Sequence, residues 1–263
     1  MKISFLGAGK MGGAIIESLI KSKAAKASDI CAHDVSAARV AELVKRFKIK
    51  GAANACEAVN GADVVFLAVK PQDLGALLAS VKTVAPLFVS IAAGKKTAWM
   101  ESTLPPKARV VRVMPNLAVS VGQGMSGFCL GKNAKKFDAK TAQKLLSCTG
   151  KAIEFPEEQL DAVTALSGSG PAFCAYFLQA MSDAGAALGL DAECARESAL
   201  QTLLGTAMVL AKSGQATDSF IKDVTSAKGT TAAGLEVLEK SALRSTVKKT
   251  LAAAARRSKE LSL

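Results

Sequence analysis

One histidine, one tyrosine and one tryptophan occur among 263 residues, and aromatic side chains make up 5% of the chain. The single imidazole, His33, argues against a zinc cluster and against a histidine–carboxylate relay of the kind that serves 2-hydroxy acids. The lone tyrosine, Tyr176, has Ala180 four positions on, so there is no Tyr-x-x-x-Lys proton donor. Cys31, Cys56, Cys129, Cys148, Cys174 and Cys194 form no Cys-x-x-Cys pair. Their neighbours predict small buried thiols in a reducing compartment, without disulfides or a metal site. Formal charge is missing from Val113 to Gly131 and from Ala162 to Ser182. Proline, glycine and polar residues break both windows, so neither reads as a membrane span. A secretory leader is not expected, because Met1 to Leu6 runs directly into a strand, and the expected setting is the cytoplasm.

Apolar residues and positive charge are what the chain has in quantity. Hydrophobic residues make up 50% of it and charged ones 21%, which excludes disorder, and the formal net charge is +12. Lysine and arginine are spread along the sequence, a pattern that suits a basic surface attracting small anions. Neither nucleic acid nor a membrane is an expected partner.

The first half carries a nucleotide-binding pattern. Lys2 to Leu6 is a short apolar strand, Gly7-Ala8-Gly9-Lys10-Met11-Gly12 follows, and an amphipathic helix with Ala14, Ile15, Leu19 and Ile20 comes next. This is the strand, Gly-x-Gly-x-x-Gly and helix order of the dinucleotide fingerprint. Gly7 permits a tight turn, Gly9 lets backbone approach a pyrophosphate, and Gly12 allows close helix-to-strand packing. Asp34 ends a second strand about 20 positions after Gly12, where an acid holds an adenosine ribose hydroxyl. Its charge favours NADH, whereas Ser36 and Arg39 nearby suit the 2′-phosphate of NADPH, and Asp34 also reads as the cap of the helix that follows.

Helices over Ala37 to Phe47 and Leu74 to Val84 alternate with strands over Asp63 to Val69, Leu87 to Ala92 and Arg109 to Met114. Further strands are expected over Met125 to Leu130 and Lys151 to Phe155, around a helix from Lys136 to Cys148. Near-continuous apolar strands separated by helices predict a Rossmann-type, doubly wound, mostly parallel sheet. Ligands bind beyond the carboxyl ends of such strands, which places Val69-Lys70-Pro71, Ala92-Ala93-Gly94 and Met114-Pro115-Asn116 at the crevice.

After Pro156 the strand signal stops. Gln159 to Leu190 reads as one long helix interrupted at Ser167 to Pro171, followed by helices over 192–212, 219–224, 232–240 and 243–261. The expected division is residues 1–156 for dinucleotide binding and 157–263 for an all-α domain that binds substrate. Its helices are more apolar than they can hide alone, which predicts a dimer interface.

Within that half, Ser226, Gly229, Thr230 and Thr231 precede an apolar-periodic helix. A helix start offers unpaired N–H groups and partial positive charge, which suits a carboxylate, although the same residues also read as a ligand-free cap. Without the two motifs above, a reaction that needs a strong protein acid or base is disfavoured. Hydride transfer to an imine fits that inventory, since the electrophile can arrive already protonated.

Six stretches then act together: FLGAGKMGGAI from Phe5, AVKPQ from Ala68, SIAAG from Ser90, RVMPN from Arg112, DAVTALSGSGPAF from Asp161 and TSAKGTTAAGLEVLE from Thr225. With them the chain resembles the pyrroline-5-carboxylate reductase family along essentially its full length. The resemblance implies reduction of 1-pyrroline-5-carboxylate to L-proline with NADPH or NADH, the final step of proline biosynthesis. It implies that Gly7, Ala8, Gly9, Lys10, Met11, Gly12, Asn54, Val69, Lys70, Pro71, Ala92 and Ala93 hold the cofactor. It also implies that the substrate carboxylate meets Ser226 and the N–H groups of Gly229, Thr230 and Thr231, that the Thr231 hydroxyl bonds the ring nitrogen, and that Glu157 stands at the site's edge. Helical domains of the family interlock into homodimers, often assembled as decamers (pentamers of dimers). This chain departs from the family at Ala227 and Lys228, where proline and glycine are usual, and at Leu117-Ala118 in place of Thr-Pro. Those departures motivate the alternative, a reductase of another small imine or a hydroxy acid on the same fold.

Overall fold

Short runs of β-branched and aromatic residues bounded by glycine and lysine turns form the strands, and amphipathic segments between them form the covering helices. In this computed structural model, which describes residues 1–262, the first elements are β1 (Ile3–Leu6), α1 (Lys10–Lys21), β2 (Ile30–His33), α2 (Ala37–Phe47), β3 (Lys50–Gly51) and α3 (Ala55–Val59). They continue with β4 (Val64–Leu67), α4 (Pro71–Ser80), β5 (Leu87–Ser90), α5 (Thr97–Thr103), β6 (Arg109–Met114), β7 (Gly124–Leu130), α6 (Lys136–Leu146) and β8 (Gly150–Glu154). The helical remainder is α7 (Leu160–Val163), α8 (Gly170–Ala187), α9 (Ala192–Ser213), α10 (Thr217–Asp223), α11 (Thr230–Lys240) and α12 (Leu243–Leu261).

All eight strands join one sheet in the order β3-β2-β1-β4-β5-β6-β7-β8. Every neighbouring pair is parallel except β6 with β7. Strand order reverses between β1 and β4, so a crevice opens beyond Leu6 and Leu67, the carboxyl ends of those two strands. The mostly parallel sheet expected from the sequence is therefore present.

Alternate residues of each central strand feed two separate cores. Ile3, Phe5, Val64, Phe66, Val89 and Val111 enter one with α1 and α6, while Leu6, Val65, Leu67, Phe88 and Val110 enter the other with α3, α4 and α5. Phe5 and Phe66 stack across β1 and β4 with ring centroids 4.8 Å apart. Burying one such phenyl group contributes about 2 kcal/mol, which explains strands apolar on both faces.

Several boundaries moved from their sequence positions. The strand expected to reach Val69 ends at Leu67, and the helix expected from Leu74 to Val84 runs from Pro71 to Ser80. Pro71 takes the first helical position, where its missing N–H costs nothing, and it holds Lys70 extended with ψ 151°. β3, α3 and α5 have two, five and seven residues, too few to show a period. The interrupted helix is real: α7 passes into a π-helical turn over Thr164–Gly168 before α8 begins. The expectation of buried thiols fails for half the cysteines. Cys129 is buried and Cys31 and Cys148 are partly covered, but Cys56, Cys174 and Cys194 are exposed in the single chain.

Packing divides the chain into two units. The first holds Met1–Ser169 and the residues from Ala253 onward, so the strand-free stretch after Pro156 packs with the sheet through Leu160 and Val163 against Cys129. The second unit, Gly170–Ala252, is helical throughout. α8 lies close on α9 because Gly185 faces Ala195, where an added Cβ would come within 3.2 Å of the alanine methyl group. In this unit only Ser182, Ala195 and Ala199 are buried, whereas Tyr176 is 80% and Leu188 88% exposed. No helix among the described residues is long and apolar enough to cross a membrane.

Candidate active site

The glycine loop sits between the carboxyl ends of β1 and β4, and each glycine answers a different steric demand. Gly7 has φ +109°, and a Cβ there would lie 2.5 Å from the backbone carbon and oxygen of Ala68. A Cβ on Gly12 would stand 2.7 Å from the Gly7 oxygen, so α1 can start this close to β1 only without a side chain. Gly9 is different, since a Cβ on it meets nothing within 4 Å. Its surroundings are open, as a loop needs if a pyrophosphate is to approach its backbone. Gly9 caps α1 with no side-chain bond, which leaves first-turn N–H groups, including those of Lys10 and Met11, free for an anion. That cradle fits a dinucleotide.

Asp34 is anchored more firmly than the sequence suggests. Its side chain is 8% exposed, one oxygen accepts the Ala8 N–H at 2.7 Å, and the other accepts the Ser36 N–H at 2.9 Å. Arg39 approaches only to 4.0 Å. The carboxylate thus clips the glycine loop to the turn that enters α2, and Ser36, not Asp34, occupies the cap position of that helix. His33 is held by the Ala52 carbonyl at 3.2 Å through Nδ1. Asn54 caps α3 by accepting the Glu57 N–H at 2.9 Å.

Val69, Lys70 and Pro71 form the turn from β4 into α4 directly beyond the Gly7 contact, with Lys70 exposed. Ala92 is buried and Ala93 exposed at the exit from β5, and the chain turns at Gly94, φ +75°. This segment reaches Thr97, the first residue of α5, where Glu157 is found. Its carboxylate accepts the Thr97 N–H at 2.8 Å and the Thr97 hydroxyl at 2.7 Å, and Arg112 of β6 donates to it at 3.2 Å. Burial pushes the Glu157 carboxyl up, but the Thr97 bonds and the Arg112 guanidinium together outweigh it and hold the group below its usual range. Cys129, paired with Arg112 across β6 and β7, has its thiol pushed up to about 12 by burial and by the Glu157 charge.

Sequence reasoning named Glu157 but missed Thr97 and Arg112. A signal existed for Arg112: a charge in the middle of a strand buried on both faces requires a counter-charge.

In the helical unit, Gly229 caps α11 without a side-chain bond, and Thr230 and Thr231 open the helix. One expectation is corrected here. The Gly229 N–H already donates to the Ser226 carbonyl at 3.1 Å, so the free backbone donors are those of Thr230, Thr231 and Ala232. Gly229 is needed for another reason, because a Cβ there would collide with the Ser226 hydroxyl. Lys228 has φ +61°, the left-handed conformation in which glycine is usual.

The sheet order, the glycine loop and its anchored acid define a Rossmann-type, dinucleotide-binding oxidoreductase. Residues 157–261 match the family described as pyrroline-5-carboxylate reductase dimerisation, and residues 2–94 match that described as NADP oxidoreductase, coenzyme F420-dependent. The chain belongs to the pyrroline-5-carboxylate reductase family. It is 39% identical to a pyrroline-5-carboxylate reductase of Methanosarcina acetivorans, over 99% of this chain and 97% of that protein. A solved pyrroline-5-carboxylate reductase from Coxiella burnetii is 32% identical and superposes with a TM-score of 0.95, covering 100% of this chain and 98% of that one. A Plasmodium falciparum pyrroline carboxylate reductase, solved with NADP bound, is 29% identical with a TM-score of 0.86 over the same shares of the two chains.

Proposed function

We infer that this chain reduces 1-pyrroline-5-carboxylate to L-proline with NAD(P)H, the final step of proline biosynthesis. The observation that carries this reading is the full-length likeness to pyrroline-5-carboxylate reductases, joined to a glycine loop whose Gly9 opens on free space. When bound, the dinucleotide supplies the hydride. Residues Gly7 to Gly12, Asn54, Val69 to Pro71 and Ala92-Ala93 hold it in this reading, with Asp34 at the adenosine ribose. Ser226 and the N–H groups of Thr230 and Thr231 receive the substrate carboxylate, at a helix start whose partial positive charge favours it. The Thr231 hydroxyl bonds the ring nitrogen and orients the C=N bond. Because the imine arrives protonated, the chain has to orient and desolvate it, and its lack of a histidine or tyrosine acid at the site is no obstacle.

The enzyme is a homo-oligomer built through its helical domain, and the exposed apolar side chains of α8 and α9 support pairing there. We place five such dimers in a decamer and the enzyme in the cytoplasm, where six free thiols are at home. The test is oxidation of NADH and NADPH, side by side, with pyrroline-5-carboxylate and with the keto partner of a hydroxy acid. Turnover with pyrroline-5-carboxylate is expected, and turnover with the keto acid alone overturns the reading.

A further inference from the structure

The dinucleotide crevice has two halves. Asp34 belongs to the half built on β1 and β2, so the loops after β4 and β5 lie on the nicotinamide side. The β5–α5 loop, Ala92 to Lys96, has weak local restraints, with Lys95 over the Trp99 ring at 4.9 Å and the Ala92 N–H donating to the Ser90 hydroxyl at 3.4 Å. Lys96 caps α5 without a side-chain bond, and Gly94 at the loop's centre is in the left-handed region. Two contacts from one distant stretch of chain supply what is missing. Glu157 takes both the N–H and the hydroxyl of Thr97, and its other tie, Arg112, is 5% exposed on the sheet beneath. Four residues further on, Asp161 accepts the Ser258 hydroxyl at 2.7 Å and so fixes the last turns of α12. That helix end reaches Gly94, where a Cβ would stand 2.8 Å from the Leu261 carbonyl oxygen.

We propose that Glu157 is a positioning residue for the dinucleotide, which fixes the β5–α5 loop through Thr97 and Arg112 instead of acting on the substrate. Both carboxylate oxygens already serve α5 and β6, so the group is engaged in holding structure and not in moving a proton. The charge matters: a carboxylate at the first turn of α5 satisfies an orphan N–H and neutralises a nearly buried guanidinium in one contact. Asp161 holds the same loop from the other side through Ser258 and α12. The proposal rests on the reading that Ala92 and Ala93 line the cofactor crevice.

The test measures cofactor Kd by fluorescence titration of NADPH and NADH, beside KM and kcat, for Glu157→Gln, Thr97→Val and their double variant. Loss of a charge-assisted bond predicts a roughly tenfold rise in cofactor Kd and KM for Glu157→Gln, with the loss falling on KM and not on kcat. Thr97→Val removes only the hydroxyl bond and is the milder change, which keeps the test informative where Glu157→Gln folds poorly. The double variant is expected to be no worse than Glu157→Gln, and Thr97→Ser to restore binding. A fall in kcat at unchanged Kd would make Glu157 a catalytic group, and unchanged Kd with only a lower Tm would make it structural. Either outcome overturns the proposal. Gly9→Val separates its failure from that of the crevice reading: if that variant still binds cofactor normally, the crevice itself is misplaced.

Discussion

Replacing Gly9 by valine puts an isopropyl group into the one position of the glycine loop where the fold offers it room. Gly9 has φ −71° and ψ −176°, a conformation open to any residue, and its Cβ would have no neighbour within 4 Å. The cost to folding is then that of exchanging glycine for valine at a helix cap, about 1 kcal/mol or less. For a protein of this size that corresponds to a Tm lower by roughly 2–4 °C. Binding is expected to suffer far more, because in the proposed reading the side chain occupies the path by which the pyrophosphate reaches the N–H groups of α1. Losing two charge-assisted bonds at about 1.5 kcal/mol each raises the cofactor Kd at least ~100-fold.

Gly12→Ala provides the contrast, since its Cβ would stand 2.7 Å from the Gly7 oxygen. Overpacking of that kind costs about 1–3 kcal/mol, so Tm falls further than for Gly9→Val. Fluorescence titration with NADPH and a thermal melt on both variants decide the matter. Unaltered cofactor affinity in Gly9→Val, or a Tm loss as large as that of Gly12→Ala, refutes the reasoning.

Thr231→Ala is expected to lower kcat by about two orders of magnitude through lost orientation of the C=N bond while cofactor Kd stays within about twofold, as steady-state rates and titration will show. Lys228→Gly relieves a left-handed lysine worth about 1 kcal/mol, partly offset by the glycine's freedom when unfolded, so Tm rises by up to about 2 °C in calorimetry. A thiol reagent at pH 8 is expected to label exposed Cys56 in the native protein and to spare Cys129, whose buried thiol titrates at about 12, until denaturant is added. Peptide mass mapping reads this out. Glu157 has its carboxyl held below the ordinary value of 4.5, so it contributes stability above that value and loses it as pH falls through the lowered one. Acid melts of the wild type are therefore expected to steepen below about pH 4.5 relative to Glu157→Gln, and parallel curves would remove the contribution.

The strands were legible because the sheet buries both their faces, so β4 is an unbroken apolar run and β1, β5 and β6 depart from one only at Ser4, at Ser90 and at Arg109 and Arg112. Ends were less legible. Ala68-Val69 continues the β4 run in composition, yet the strand stops at Leu67 because the chain must turn against Gly7 and enter α4 at Pro71. β3 pairs through backbone with exposed side chains, and α5 takes its cap from Glu157, 60 residues away, so neither leaves a local pattern. The same holds at the candidate site. The glycines and the Thr230-Thr231 helix start could be read directly, whereas the Asp34 clip to Ala8 and the Thr97–Glu157–Arg112 contact join distant segments that only the fold brings together.

Under the pairing proposed above, the sparsely covered helices of Gly170–Ala252 tie the amount of folded enzyme to its abundance. A protomer whose exposed apolar side chains are covered by a second copy in that pairing gains stability by mass action, so scarcity itself acts as a denaturant. Halving the number of copies then also lowers the paired fraction, a dosage effect rooted in the helical unit and independent of the chemistry at the crevice.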